Sequence, residues 1–198
     1  MSESRPGLGR ANAHWVTDFL AVGGDLDAYD VELAVQQAVD LTAAGVTHVL
    51  DVREEADDAA FWSLFPGVTY HWDGIDDAGQ EVPDEWWERI VAWSLASLSQ
   101  PGSKLLTHCH MGINRGPSAA YGVLLGLAWD PVQAIDAIRS ARPEAHVWYA
   151  EDALRWRHNG VRASDERRAA DLARLTDWRV QHPMDVVRVI AERRELGQ

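Results

Sequence analysis

The chemistry this sequence can hold is concentrated in eight consecutive residues, His108-Cys109-His110-Met111-Gly112-Ile113-Asn114-Arg115. Cys109 is the only cysteine in the chain, and it stands between a short apolar run (Leu105, Leu106) and a segment of helical character. At a strand-to-helix turn, backbone N–H groups and the positive end of the helix dipole converge on one point. That setting is expected to lower the thiol pKa and supply a thiolate nucleophile near neutral pH. A loop wrapped around the sulfur also aims the N–H groups of His110, Met111, Gly112, Ile113, Asn114 and Arg115 at the oxygens of a phosphate, and Arg115 adds a planar, permanently charged fork. Lone cysteines are more often inert buried side chains. The joint placement of His before Cys109, Gly three after and Arg six after has a chance frequency of about three in ten thousand on this composition, which weighs against that reading.

The rest of the chain must position this loop. Its 198 residues suffice for one substantial core and little more. The net charge of −13, with pI near 4.9, speaks against nucleic acid or an anionic membrane as a partner. A single cysteine leaves no internal disulfide and no cysteine-rich metal site. Residues 1–12 are polar, contain Pro6, Gly7 and Gly9, and lack the apolar stretch of a signal peptide, so they read as a disordered tail on a cytoplasmic protein. The longest nearly apolar run, Ala119 to Trp129, is shorter than the roughly 20 residues that span a bilayer and reads as a buried helix.

Between tail and loop, strand-like and helix-like segments alternate. Trp15 to Val22 is β-prone and closes at Gly23-Gly24. Tyr29 to Ala44 has helical spacing and stops at Gly45. Val46 to Val52 and Val68 to Trp72 read as strands, Asp73 to Pro83 as a loop, and Asp84 to Ser99 as a helix capped near Asp84 with Trp86, Trp87 and Trp93 on its apolar face. Gly102 opens the strand that leads to Cys109. Beyond the loop, Asp130-Pro131 starts a helix that runs to about Arg142, and another covers about Tyr149 to His158. Residues 161–198 form a charge-rich extension of two helices split near Pro183, packed on the domain or offered to a partner. The alternation predicts a single α/β domain, 13–160, with a mostly parallel central sheet flanked by helices on both faces. Arg139 and Arg142 either strengthen the positive field at the loop or form a solvated helix face.

At His108-Cys109, the five residues 110–114 and Arg115, with Gly112 third of the five, the sequence resembles the cysteine-dependent protein phosphatases. Its compact length resembles their dual-specificity branch. The resemblance covers roughly Trp15 to His158. It implies hydrolysis of phosphate monoesters on a phosphorylated protein (Tyr, Ser or Thr) or a small phosphate ester, through a cysteinyl-phosphate intermediate, with neither metal nor organic cofactor. It also implies that His108 hydrogen-bonds within the loop and helps stabilise the thiolate. The family has Ser or Thr directly after the Arg, where a hydroxyl assists sulfur departure; this chain has Gly116, with Ser118 two positions on. Phosphoinositide-directed relatives tend to carry Lys in the loop, and none is present here.

Such chemistry needs a carboxylic acid to protonate the leaving oxygen. Asp73, Asp76 and Asp77 fall in the upstream loop. Asp77 lies 32 positions before Cys109 (109 minus 77), the interval at which the family keeps its acid, with Asp76 the neighbouring alternative. His108 and His110 lack further ligands at zinc-site spacing, so no metal site is expected. Two other readings share parts of this pattern. A phosphate-recognising module with little turnover would fit Gly116, and a rhodanese-like sulfur carrier also sets a cysteine in an anion-binding loop.

Overall fold

A computed structural model of the chain describes residues 7–185, 187 and 189–191. Five strands, β1 (Ala13–Trp15), β2 (Leu20–Gly23), β3 (His48–Arg53), β4 (Thr69–Ile75) and β5 (Leu105–His108), form one sheet in the order β1-β2-β5-β3-β4. β1 pairs antiparallel with β2, and every other pairing is parallel. β5 comes last in sequence and lies in the middle, with Leu105 in register with Leu20 on one side and His48 on the other. The helices are α1 (Val31–Ala43), α2 (Ala59–Trp62), α3 (Asp84–Leu98), α4 (Arg115–Gly126), α5 (Pro131–Ala141), α6 (Ala150–Gly160) and α7 (Asp165–Gln181).

Successive strand residues face opposite sides of a sheet, so the apolar runs supply two cores. Leu20, Val22, Leu50, Val52 and Leu105 enter the larger one with side chains of α3 to α7. Ala21, Val49 and Leu106 enter the smaller one with Ala38 and Leu41 of α1 and Trp62 of α2. Helices therefore cover both faces, as expected of strands with no polar alternation. α4 is buried from Arg115 to Leu125 and follows β5 after the loop 109–114. Asp130 accepts from the N–H groups of Val132 and Gln133 at the start of α5, the cap that Asp-Pro predicts.

Several boundaries differ from the sequence reading. β4 continues to Ile75, so Asp73 lies on a strand rather than in the loop. This is the sheet's edge, and Asp73 is paired there with Arg89 of α3. Asp84 is the first residue of α3 and makes no side-chain cap; Pro83 holds the cap position. Of the tail expected over 1–12, the described part is packed: Leu8 is buried in the smaller core and Arg10 N–H donates to Asp40 Oδ2 at 2.8 Å. The extension begins with α7, capped by Ser164 and lying against α5 and α6, with Leu175 and Trp178 in the larger core. The second helix expected beyond Pro183 falls partly outside the described residues. Among those described, no helix is long and apolar enough to cross a membrane.

Candidate active site

The parallel strands all end on the same side, and the loop after β5 opens there, flanked by the segments that leave β2, β3 and β4. Cys109 is 3% exposed. The N–H groups of Gly116 and Gly112 hydrogen-bond its sulfur. Gly112 has φ +66°, and a Cβ there would stand 2.5 Å from Gly23 C and 2.6 Å from Gly24 N, so only glycine lets the loop turn against the end of β2. Gly116 has a different reason. A Cβ on it would lie 3.0 Å from Cys109 N and His108 C, which is how closely the first turn of α4 approaches the nucleophile. The side chain that the family carries at this position would crowd the backbone here.

Burial pushes the Cys109 thiol up, against the pull of the Gly116 N–H, the Arg115 guanidinium and the Gly112 N–H. The net direction is opposite to the sequence expectation. Full enclosure of the sulfur outweighs the dipoles, and the positive charge nearest to it is shared. Arg115 donates to both carboxylate oxygens of Glu55, each at 2.6 Å, and to Ile75 O at 3.0 Å. Its Nε makes no hydrogen bond among the described residues and faces Asp77 Oδ2 at 3.4 Å. Burial works against the Arg115 charge, yet Glu55, the sulfur and Asp77 together raise its pKa. The Glu55 carboxyl is held down to about 2, chiefly by its hydrogen bond from Arg115.

The three candidate acids separate by position. Asp77 accepts from Asn114 Nδ2 at 2.5 Å and from the Tyr149 hydroxyl at 3.3 Å, which ties it to the loop. Among the described residues Asp76 Oδ1 accepts only from the Asp77 N–H. Asp73 is held by both Nε and Nη2 of Arg89, at 2.8 and 2.9 Å, away from the loop. Asp77, Cys109, Arg115, His110, Met111, Ile113 and Asn114 all line one cavity of about 410 Å³, which Trp148 and Ile190 also border.

The loop is braced from behind. Arg142, fully buried, donates to Gly112 O at 2.7 Å, Met111 O at 3.0 Å and Asn12 Oδ1 at 2.9 Å, so it is a scaffold under the loop and not a solvated face. Asp25 N–H donates to His110 O, and Asp25 Oδ2 lies 2.7 Å from His110 Nδ1. His108 is buried with Nδ1 3.6 Å from Asp25 and Nε2 3.7 Å from Asp51, and neither nitrogen makes a hydrogen bond among the described residues, unlike the bond within the loop that the resemblance implied. Arg53 joins those carboxylates, reaching Asp25 at 2.8 Å and Asp51 and Asp58 at 2.6 Å each. The Ser118 hydroxyl donates to Asn114 Oδ1 at 3.4 Å. Asn114 Oδ1 also accepts from Trp148 N at 2.7 Å, and Ile113 O from His146 N at 2.6 Å, which pins the 146–148 turn to the loop. No group of three or more His, Cys, Asp or Glu side chains among the described residues is arranged to hold a metal ion.

Glu55, Tyr149, Asp25 and Arg53 escaped the sequence reading. Glu55 had one usable signal, a position just past the end of a parallel strand, where ligands gather in such sheets.

No family model matches the chain, and no curated protein does. Solved structures do. PTPMT1 in complex with PI(5)P aligns with a TM-score of 0.63 at 16% identity, over 77% of this chain and 99% of that one. Human DUSP28 aligns with a TM-score of 0.61 at 20% identity, over 77% and 96%. A mouse putative dual specificity phosphatase complexed with zinc tungstate gives 0.60 at 23% identity, over 80% and 92%. At these identities the likeness is one of fold.

Proposed function

We propose that this chain hydrolyses phosphate monoesters through a cysteinyl-phosphate intermediate. The observation that carries the reading is the convergence of Cys109, Arg115 and Asp77 on one cavity, with Asn114 and Arg115 both reaching the Asp77 carboxylate. The shared fold with phosphatases supports it.

In the first step the Cys109 thiolate attacks phosphorus, the P–O ester bond breaks, and Asp77 delivers its proton to the departing oxygen. In the second, a water attacks the cysteinyl phosphate while the Asp77 carboxylate takes its proton. The S–P bond then breaks to release inorganic phosphate and restore the thiolate. The loop N–H groups and Arg115 stabilise the equatorial oxygens as charge shifts onto them. Glu55 holds the guanidinium through both of its carboxylate oxygens. Asn114 and Tyr149 hold Asp77 over it. The substrate is a phosphorylated protein or a small phosphate ester. The loop has no lysine, and the lipid bound by PTPMT1 is not transferred to this chain at 16% identity.

The test is turnover of para-nitrophenyl phosphate by the wild type, with Cys109→Ser inactive and Arg115→Lys weakened in both binding and rate, since a point charge lacks the bidentate fork. Phosphate binding with no turnover would leave a recognition module instead.

A further inference from the structure

A second cavity, of about 220 Å³, lies against the same wall as the first. His146 and Trp148 line both cavities, their rings stacked at 5.4 Å between centroids. The second is also lined by Arg139 of α5, Trp178 and Arg179 of α7, His182 and Met184, and no carboxylate is among its described lining residues. This chain carries 31 acids against 18 Lys and Arg, so a concave surface furnished with Arg and His and with no acid among its described lining residues runs against its composition.

The two arginines differ in what they already hold. Arg179 donates to Glu151 at 2.8 Å and to the carbonyls of Val147 and Trp148 at 3.1 and 3.2 Å, so it fixes the wall. Arg139 is partly buried with its guanidinium 5.6 Å from the Trp178 ring centre, and among the described residues it has no carboxylate or carbonyl partner. Burial works against its charge. A partly buried guanidinium with no counterion among the described residues offers its donors to an anion. His182 donates Nδ1–H to Trp178 O at 2.8 Å and stacks on that ring at 4.4 Å, so its ring is fixed on the cavity wall. The His146 ring makes no hydrogen bond among the described residues.

We propose that this cavity is a second anion subsite, taking a phosphate or carboxylate carried by the same molecule whose phosphate ester enters the Cys109 loop. The link to a substrate rests on the function proposed above; the anion binding does not.

The binding arm uses full-length Cys109→Ser and follows ring signals of His182, which lines only the second cavity, during titration with inorganic phosphate. The expected result is a saturating shift of His182 that Arg139→Met removes while the Asn114 amide, at the first cavity, still responds. A silent His182, or a shift unchanged in Arg139→Met, overturns the subsite. Arg139→Lys keeps the cation over Trp178 and part of the shift, which separates anion binding from a purely structural stacking role. The kinetic arm compares a phosphotyrosine peptide with the same peptide bearing glutamate or phosphoserine beside it. The wild type is expected to favour the doubly anionic peptides by about tenfold in kcat/KM, the size of one charge-assisted hydrogen bond, with Arg139→Met losing that preference and keeping its rate on the singly anionic one. Preference for phosphoserine alone marks a phosphate site, and preference for both marks a general anion site; no preference for either overturns the substrate link. If no ester is turned over, the proposed function fails, and the His182 titration still decides the subsite.

Discussion

Asp77 is the residue on which the proposed chemistry is most sharply testable. Asp77→Asn should lower kcat by about 10² to 10⁴, the usual contribution of a positioned proton donor, with the greatest loss on esters whose leaving group is poor. Asp76→Asn and Asp73→Asn should stay near wild type, because one touches only a neighbouring N–H and the other is held by Arg89. Equal losses in all three would reduce the effect to general electrostatics. Glu55 gives a second test, read in stability. Its carboxyl pKa drops from 4.5 to about 2 on pairing with Arg115. A depressed carboxyl pKa contributes stability that is complete above the unfolded value and lost as pH falls through the folded one. The stability gap between wild type and Glu55→Gln should therefore be constant above about pH 4.5 and narrow toward pH 2, as acid titration by circular dichroism would show. The spacing of Cys109 and Arg115 was legible because a loop of fixed length sets it, whereas the choice of Asp77 rested on the interval that the resemblance implies. Glu55 and Tyr149 were not, since they meet Arg115 and Asp77 across 60 and 72 residues of chain, and no local pattern encodes such a meeting.

Among the elements, the strand-loop-helix unit from β5 to α4 is set by its glycines. Gly112→Ala would bring a methyl group within 2.6 Å of backbone on β2 and of Arg142 Nη2, in a left-handed conformation. The combined strain and overlap should cost roughly 1–3 kcal/mol or more and abolish phosphate binding along with stability; a variant with wild-type melting and wild-type affinity would contradict the packing described. Apolar periodicity located every long helix and the buried strands, because those strands are covered on both faces and carry short apolar runs before the polar residues at their ends. It misjudged β4, whose edge position lets Asp73 and Gly74 continue a strand that their residue types argue against. It also set the start of β5 too early at Gly102, which adopts φ +78° in a turn ahead of Leu105.

For the molecule as a whole, α7 belongs to the core: Leu175 is fully buried and Trp178 nearly so. Leu175→Ala should cost about 2–5 kcal/mol. That corresponds to a fall in Tm of at least about 4 °C for a chain of this size, measurable by calorimetry; an unchanged Tm would mean that α7 is not docked in solution. Whether the extension packs on the domain or on a partner was beyond the sequence, since an amphipathic face does not name what covers it. The central place of β5 also orders events in time. β2 and β3 are not paired with each other; each pairs with β5, which follows Arg53 by 52 residues (105 minus 53). At about 5–20 residues per second of synthesis, β3 waits roughly 3–10 seconds for their common neighbour, and β2, which ends 82 residues ahead of it (105 minus 23), roughly 4–16 seconds. During that interval their apolar edges are open to chaperones or to other nascent chains, and the sheet can close only as the nucleophile's own segment arrives, so the growing polypeptide carries no anion cradle until its largest folding step is under way.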